Sequence, residues 1–162
     1  MNNGPENLAR TVLTDPVHFL AFGFGTGLAP FAPGTFGSIP GLILFWLTLD
    51  FGLHVQLSIA VAMALIGIWI CGESARRIGV HDHGGIVWDE IVGMYVTLFL
   101  APISVVGFVL AFVLFRIMDI VKPWPIRELD HSMQGGLGIM LDDLLAALYA
   151  ALLLALYGWF MT

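Results

Sequence analysis

Val55-Gln56-Leu57-Ser58-Ile59-Ala60-Val61-Ala62-Met63-Ala64-Leu65-Ile66-Gly67-Ile68-Trp69-Ile70-Cys71 contains no formal charge. It reads as an apolar helical segment, and it is one of several. Ile39–Leu49 precedes it, ended by Asp50-Phe51-Gly52. Trp88–Leu100 and Ile103–Val121 follow as a hairpin broken at Ala101-Pro102, and Ile139–Phe160 is the last. Polar stretches, Gly72–Val87 and Lys122–Gly138, separate them. Some segments fall short of the ~20 residues a full span needs, so tilted, paired or partly re-entrant helices are expected. The fold class is therefore all-α: a polytopic helical membrane protein with about five membrane helices in hairpins. A Gly/Pro-rich N-terminal loop precedes them.

Composition leads to the same class. Of 162 residues, 59% are apolar and 11% charged, with a mean hydropathy of +0.92. Soluble domains carry roughly 25% charged residues, and a chain this small has too little interior to hide so much apolar surface. Lipid must cover part of it. The length suits one membrane-embedded domain spanning 1–162, with residues 1–37 as an arm and loop and 38–162 as a helical bundle. The net charge of −6 contains no run of like charge, so nucleic acid is not an expected partner. The single cysteine, Cys71, allows no internal disulfide. Met1–Asp15 lacks a basic region leading into an apolar one, which argues against a cleaved signal peptide.

Gly23 to Ser38 is dense in glycine and proline with aromatic residues interleaved, and reads as a structured loop. The basic residues set the orientation. Arg10, Arg76, Arg77, Arg116, Lys122 and Arg127 all fall on the cytoplasmic side if the helices form two hairpins plus a last span, and the tight turns carry none. The Gly/Pro loop, Asp89-Glu90, Arg116/Asp119/Lys122, Asp130 and Asp142-Asp143 then converge on one membrane face.

Each cluster has a plain and a chemical reading. Asp89 and Glu90 open an apolar helix, where acids favour the dipole as caps. In a lipid context two charges are costly, and hard oxygen ligands are what Mg²⁺ takes. Asp142-Asp143 repeats the pattern after Gly135-Gly136-Leu137-Gly138. One carboxylate there can reach a metal while its neighbour caps or supports it. Arg116, Asp119 and Lys122 share a helix face at i, i+3, i+6. They form either an interfacial ion pair with snorkelling bases or a phosphate clamp around a metal-binding Asp. Pro123 and Pro125 end that helix. His81, Asp82 and His83 read as loop solvation, since zinc sites bring more nitrogen or sulfur ligands. His18, His54 and His131 carry no site reading. Cys71 and Arg77 have C-x5-R spacing, but Cys71 ends an apolar helix and Glu73 would oppose a thiolate, so the match reads as coincidence. G-x-x-x-x-G-K-[ST], G-x-S-x-G and D-x-D-x-T are all absent.

Four pieces in order resemble the phosphatidylglycerophosphatase A family. They are Gly23-Phe24-Gly25-Thr26-Gly27 with Ala32-Pro33-Gly34-Thr35-Phe36-Gly37; Asp89-Glu90-Ile91-Val92-Gly93; Phe115-Arg116-Ile117-Met118-Asp119-Ile120-Val121-Lys122-Pro123-Trp124-Pro125-Ile126; and Gly135-Gly136-Leu137-Gly138-Ile139-Met140-Leu141-Asp142-Asp143. Met118 stands where the family's pattern has Phe, a conservative apolar change. The resemblance implies an all-helical, multi-pass, Mg²⁺-dependent enzyme of the bacterial inner membrane. It would hydrolyse phosphatidylglycerophosphate to phosphatidylglycerol and phosphate at the cytoplasmic face. Expected metal ligands are Asp89, Glu90, Asp119, Asp142 and Asp143. Asp89, Asp119, Lys122, Asp142 and Asp143 are the expected catalytic groups, and Arg116, Lys122, Thr35 and Gly34 the phosphate-binding ones. The expected partners are a phospholipid substrate and the bilayer, with self-association left open. Two rivals predict otherwise: an ion-coupled transporter needs acids near helix centres, and a scaffold needs neither Mg²⁺ nor the Gly/Pro loop.

Overall fold

The computed structural model of the protein describes residues 5–80, 83–128 and 133–161. All regular structure among them is helical. Two short helices, α1 (Pro5–Thr14) and α2 (Pro16–Ala21), and a 3₁₀ segment (Gly23–Leu28) form the N-terminal arm. The body comprises α3 (Pro33–Leu47), α4 (Leu53–Ile78), α5 (Trp88–Thr97), α6 (Val105–Val121) and α7 (Gly135–Met161).

The arm is more ordered than expected. Asp15 caps α2, accepting from the amides of Val17 (2.8 Å) and His18 (3.3 Å), and Pro16 supplies the preset φ of a first helical position. The Gly/Pro stretch divides in two. Gly23, Phe24 and Gly25 take positive φ of 57°, 59° and 94° in a tight turn, a conformation glycine enters without a Cβ penalty. Pro33 to Ser38, expected to be loop, is the first part of α3. The arm therefore meets the bundle at Pro33 rather than at residue 38.

Two further boundaries differ from expectation. The polar residues 72–78 continue α4, because the Glu73 carboxylate takes Arg76 at 2.8 Å and Arg77 at 2.7 Å, three and four residues on. Gly79 ends the helix in the left-handed conformation. The glycines 135–138 likewise form the first turn of α7, not a loop.

Helix directions alternate. The N-terminal ends of α3, α5 and α7 and the C-terminal ends of α4 and α6 lie together, as the meeting of Gly34 with Glu90 and Arg116 and the Lys122–Asp142 pair require. Most of α5 is buried, packed chiefly on α3 and α7 and also on α4 and α6. Glycines set the spacing. A Cβ on Gly41 would overlap the Ile91 carbonyl, and one on Gly136 the Ile68 carbonyl. Such close backbone approach is how helices associate without a hydrophobic force between them. At the far end, Phe45, Tyr95 and Phe99 stack edge-on. The Tyr95 hydroxyl meets Thr48 Oγ1 at 3.0 Å, and Gln56 Nε2 donates to the Thr48 carbonyl.

Among the described residues, two helices are long and apolar enough to cross a membrane: Leu53–Ile78 and Gly135–Phe160, each of 26 residues with a mean hydropathy of 2.1. Large apolar side chains, among them Trp46, Leu65, Trp69, Val106, Leu152 and Trp159, cover the exterior. So extensive an exposed apolar surface points to a membrane-associated protein.

Candidate active site

Asp89 and Glu90 sit on the first turn of α5, where Trp88 anchors the backbone. Its indole N–H donates to the Met63 carbonyl of α4 at 3.0 Å. Asp142 and Asp143 lie about two turns inside α7, not at its start as the glycine pattern suggested. Gly136, packed against α4, holds that part of α7 close to the bundle axis. Arg116 and Asp119 share the last turns of α6. Lys122 is one residue beyond the helix, at φ 44°, so it is a cap rather than a third member of the helical face. The Lys122 ammonium still reaches inward, to the Asp142 carboxylate at 2.5 Å.

These groups surround one cavity of about 300 Å³, lined by Asp89, Glu90, Asp119, Lys122, Asp142 and Asp143, with Gly84, Ile86 and Ile120 completing the wall. Arg116 stands beside it. Its Nη1 lies 2.5 Å from Asp119 Oδ2 and 3.8 Å from Glu90 Oε1. Gly34 backs this trio so closely that a Cβ there would overlap Glu90 Oε1 and come within 2.9 Å of both Arg116 terminal nitrogens. Thr35 is half-buried on the next position of α3. Its amide donates to the Ala32 carbonyl at 2.9 Å, as does that of Phe36 at 3.3 Å, within the first turn of α3.

The electrostatics are lopsided. Five carboxylates face two cations, in a region where an uncompensated charge is expensive. Asp89 Oδ1, Glu90 Oε2 and Asp143 Oδ2 are buried without a hydrogen-bond partner, and so is Arg116 Nε on the donor side. One oxygen from each of Asp89, Glu90 and Asp143 lies within 4.8 Å of the others. A hard cation with bonds of about 2.1 Å keeps its ligand oxygens no more than about 4.2 Å apart. Oxygens gathered this closely, in an all-oxygen donor set, suit a divalent cation of this kind. The unpartnered guanidinium N–H suits an anion.

The other titratable residues go elsewhere. His18 is buried with Nδ1 2.8 Å from Ser74 Oγ, and Asp15 Oδ2 takes Arg77 at 2.7 Å, so the pair clasps the arm to the end of α4. Burial pushes the Asp15 carboxyl up. The Val17 and His18 amides and the Arg77 guanidinium more than offset this and hold it below the usual carboxylate range. Burial holds the His18 imidazole below its ordinary value, with Asp15 opposing in part. Cys71 is buried within α4, while Arg77 turns to Glu73 and Asp15. Both stand on one continuous helix, so the C-x5-R spacing builds no phosphate loop. His83 Nδ1 accepts from the Gly85 amide at 3.0 Å. His54 is exposed at the far end of α4. His81, Asp82, Asp130 and His131 lie outside the described residues.

Sequence reasoning missed Gly84, Ile86 and Ile120 as wall residues and Trp88 as the anchor of α5. Trp88 had one signal, its place directly before two acids, while the wall residues had none.

Comparison with known proteins agrees with this picture. The family model described as Phosphatidylglycerophosphatase A matches residues 19–157. A protein named Phosphatidylglycerophosphatase A from Escherichia coli (strain K12) is 45% identical over 152 residues, covering 93% of this chain and 88% of that one. One of the same name from Haemophilus influenzae is 44% identical over 155 residues, covering 94% and 95%. A Bacteroides thetaiotaomicron protein, named provisionally as a phosphatidylinositol-3-phosphatase, is 37% identical over 146 residues, covering 85% and 90%. No solved structure matches. On the extent of these matches, the chain belongs to the phosphatidylglycerophosphatase A family.

Proposed function

We propose that the protein hydrolyses the terminal phosphomonoester of phosphatidylglycerophosphate, giving phosphatidylglycerol and inorganic phosphate, with Mg²⁺ as cofactor. The carrying observation is the buried excess of carboxylates over cations around one cavity, with the unpartnered Nε–H of Arg116 buried beside it. The family's name supplies the substrate class.

Asp89, Glu90 and Asp143 would hold the metal, with Asp119 and Asp142 alongside. When bound, Mg²⁺ supplies charge neutralisation to the phosphoryl oxygens and Lewis acidity. The chain's own residues supply the rest. Arg116 offers Nε and a terminal nitrogen to two phosphate oxygens, and Asp119 and Glu90 hold its plane in place. Lys122 brings a second positive charge, steadied by Asp142. These groups are fixed before substrate arrives, so they stabilise charge as it develops with little reorganisation. A carboxylate of the cluster would take a proton from the water that attacks phosphorus, and would return it to the glycerol oxygen as the P–O bond opposite the water breaks. Gly34 keeps a side chain out of the space that Glu90 and Arg116 need.

The same reading places the protein in the bacterial inner membrane, with α3 to α7 as five membrane segments in alternating directions. The acid-bearing end would face the cytoplasm beside Arg10, Arg76, Arg77, Arg116, Lys122 and Arg127. α5, whose 10 residues are too few to span, is carried inside the ring of the others. Phosphate release from phosphatidylglycerophosphate by purified protein tests the function. Release is expected with Mg²⁺, none with chelator, and recovery when Mg²⁺ is restored. Equal turnover in chelator overturns the metal assignment, and no turnover under any condition overturns the substrate.

A further inference from the structure

The cavity has one wall residue that belongs to two environments. Ile120 lines it beside Asp119 and Lys122, yet is 70% exposed on the outer surface of α6. Of the apolar wall residues, Ile86 is buried and Ile120 is open. Gly84, the other exposed wall residue, lies on the α4–α5 connection. Ile120 therefore marks the point where the polar cavity meets the apolar exterior.

From Ile120 an exposed apolar row runs along α6 through Ile117, Val113 and Val109. Their spacings of three, four and four residues keep them on one helix face. Eleven residues at 1.5 Å each give a length of about 16 Å, close to half of the ~30 Å hydrocarbon core. The row is thus long enough to run the depth of one leaflet from the level of the phosphate-binding groups. On neighbouring faces of the same helix, Arg116 and Asp119 point to the site and Ala111 and Phe115 to the core.

We infer that this face of α6 is the docking track for an acyl chain of the lipid substrate, with Ile120 as the portal through which the head group enters sideways from the leaflet. The inference rests on the phosphatase reading. A lipid's head and tails are covalently joined, so a head group in the cavity must leave its chains against whatever apolar surface adjoins the opening. Ile120 is the residue that joins the two. Contact with the row is made by the lipid substrate and not by its water-soluble head group. It therefore contributes to capture of the lipid and leaves the chemistry at phosphorus unaltered.

The experiment compares two substrates: phosphatidylglycerophosphate in mixed micelles, and its deacylated, water-soluble counterpart. Ile117→Ser and Val113→Ser lie on the track but outside the cavity, and Leu65→Ser on α4 is a lipid-facing control. The track variants are expected to raise KM for the lipid about fivefold to tenfold, with kcat and soluble-substrate turnover within about twofold of wild type. Leu65→Ser is expected to change neither. Equal effects at Leu65 and Ile117, or parallel losses on both substrates, overturn the track. A wild-type protein that releases phosphate from neither substrate overturns the phosphatase reading instead. Where a serine variant fails to insert, wild-type protein is irradiated with substrate carrying a photoreactive group on its acyl chain. Labelling is expected on Val105–Val121 in preference to Leu53–Ile78, and to fall with excess unlabelled substrate. Even labelling of the two helices overturns the track.

Discussion

Gly34→Ala separates the site from the fold. Gly34 is on the first turn of α3 at ordinary helical φ, so alanine is sterically allowed by the backbone and improves helix propensity by about 0.5–1 kcal/mol. The added methyl overlaps Glu90 Oε1 and stands 2.9 Å from both terminal nitrogens of Arg116. Overpacking of this kind costs about 1–3 kcal/mol, so the net loss of stability is expected to be about 2 kcal/mol or less. The carboxylate and guanidinium must give way together, since both are flexible ends held in one ion pair. A displacement of about 1 Å in positioning groups costs on the order of 10²-fold in rate, equivalent to about 2.7 kcal/mol of barrier. The assay is phosphate release from phosphatidylglycerophosphate, run beside thermal unfolding in detergent. Gly37→Ala is the control. Its Cβ would press on Val87, an uncharged neighbour on the same helix pair, so it is expected to lose stability with a smaller loss of rate. Gly34→Ala at more than half of wild-type activity refutes the requirement for the Glu90–Arg116 geometry. Equal loss in the two variants transfers the effect to α3–α5 spacing.

Asp89→Asn and Asp143→Asn each remove a charge from the three-carboxylate cluster and are expected to lower turnover at least about 10²-fold. Both should retain normal membrane insertion, and near-normal activity in both would remove the site assignment. Lys122→Gln leaves Asp142 buried without its ammonium partner and is expected to raise the KM for substrate and lower kcat, read from steady-state kinetics. Trp88→Phe deletes the hydrogen bond to Met63 and is expected to destabilise the protein by about 1 kcal/mol in denaturant or thermal unfolding. His18 is held below its ordinary value when folded, so it favours the folded state above that value, and the contribution is lost as pH falls through the lowered one. Its slope is at most about 1.4 kcal/mol per pH unit. His18→Gln, which keeps a partner for Ser74, should flatten the mildly acidic limb of a stability–pH curve. An unchanged limb would assign it to other groups, with Asp15 acting only at lower pH because its value is held down.

The helical class and the turns at Asp50–Gly52 and Ala101–Ile103 were legible because they follow from apolar length and local breakers, both properties of contiguous sequence. The start of α5 at Trp88 was legible too, since two acids at a helix N-terminus are electrostatically favoured in any environment. Gathering of the acids at one end followed from the distribution of six basic residues. What the sequence did not convey was distance. Nothing in the order of residues tells that Gly34 lies against Glu90 and Arg116, or that Lys122 leaves the helical face and turns to Asp142. Those contacts depend on how far each helix slides along its neighbours. That sliding is set by contacts between residues 20 to 82 positions apart in the sequence, from Lys122–Asp142 to Gly34–Arg116.

Two of the boundary differences, at Pro33–Ser38 and Gly135–Gly138, share one cause, and it bears on the site. In water, glycine runs such as Gly34 to Gly41 and Gly135 to Gly138 weaken helices because glycine gains most from the unfolded state. In lipid the backbone has no water to bond with, so the helix persists, and the same glycines serve as places where another backbone can come close. Gly41 on Ile91 and Gly136 on Ile68 are such places, and Gly67 makes room for the side chains of Trp88 and Met140. They draw α3, α4 and α7 onto α5, and α5 and α7 carry Asp89, Glu90, Asp142 and Asp143. A bulkier residue at Gly67, which lies against both Trp88 of α5 and Met140 of α7, would press on the two carboxylate-bearing helices. The glycines that look like loop are thus what lets helices bearing separate carboxylates pack closely at one end of the bundle. Gly136→Ala, two turns from Asp142 and Asp143, would displace α7 from α4 at Ile68 and is expected to weaken Mg²⁺ affinity before it weakens insertion. A rise in the Mg²⁺ concentration for half-maximal activity, at unchanged protein yield, is the measurement that decides it.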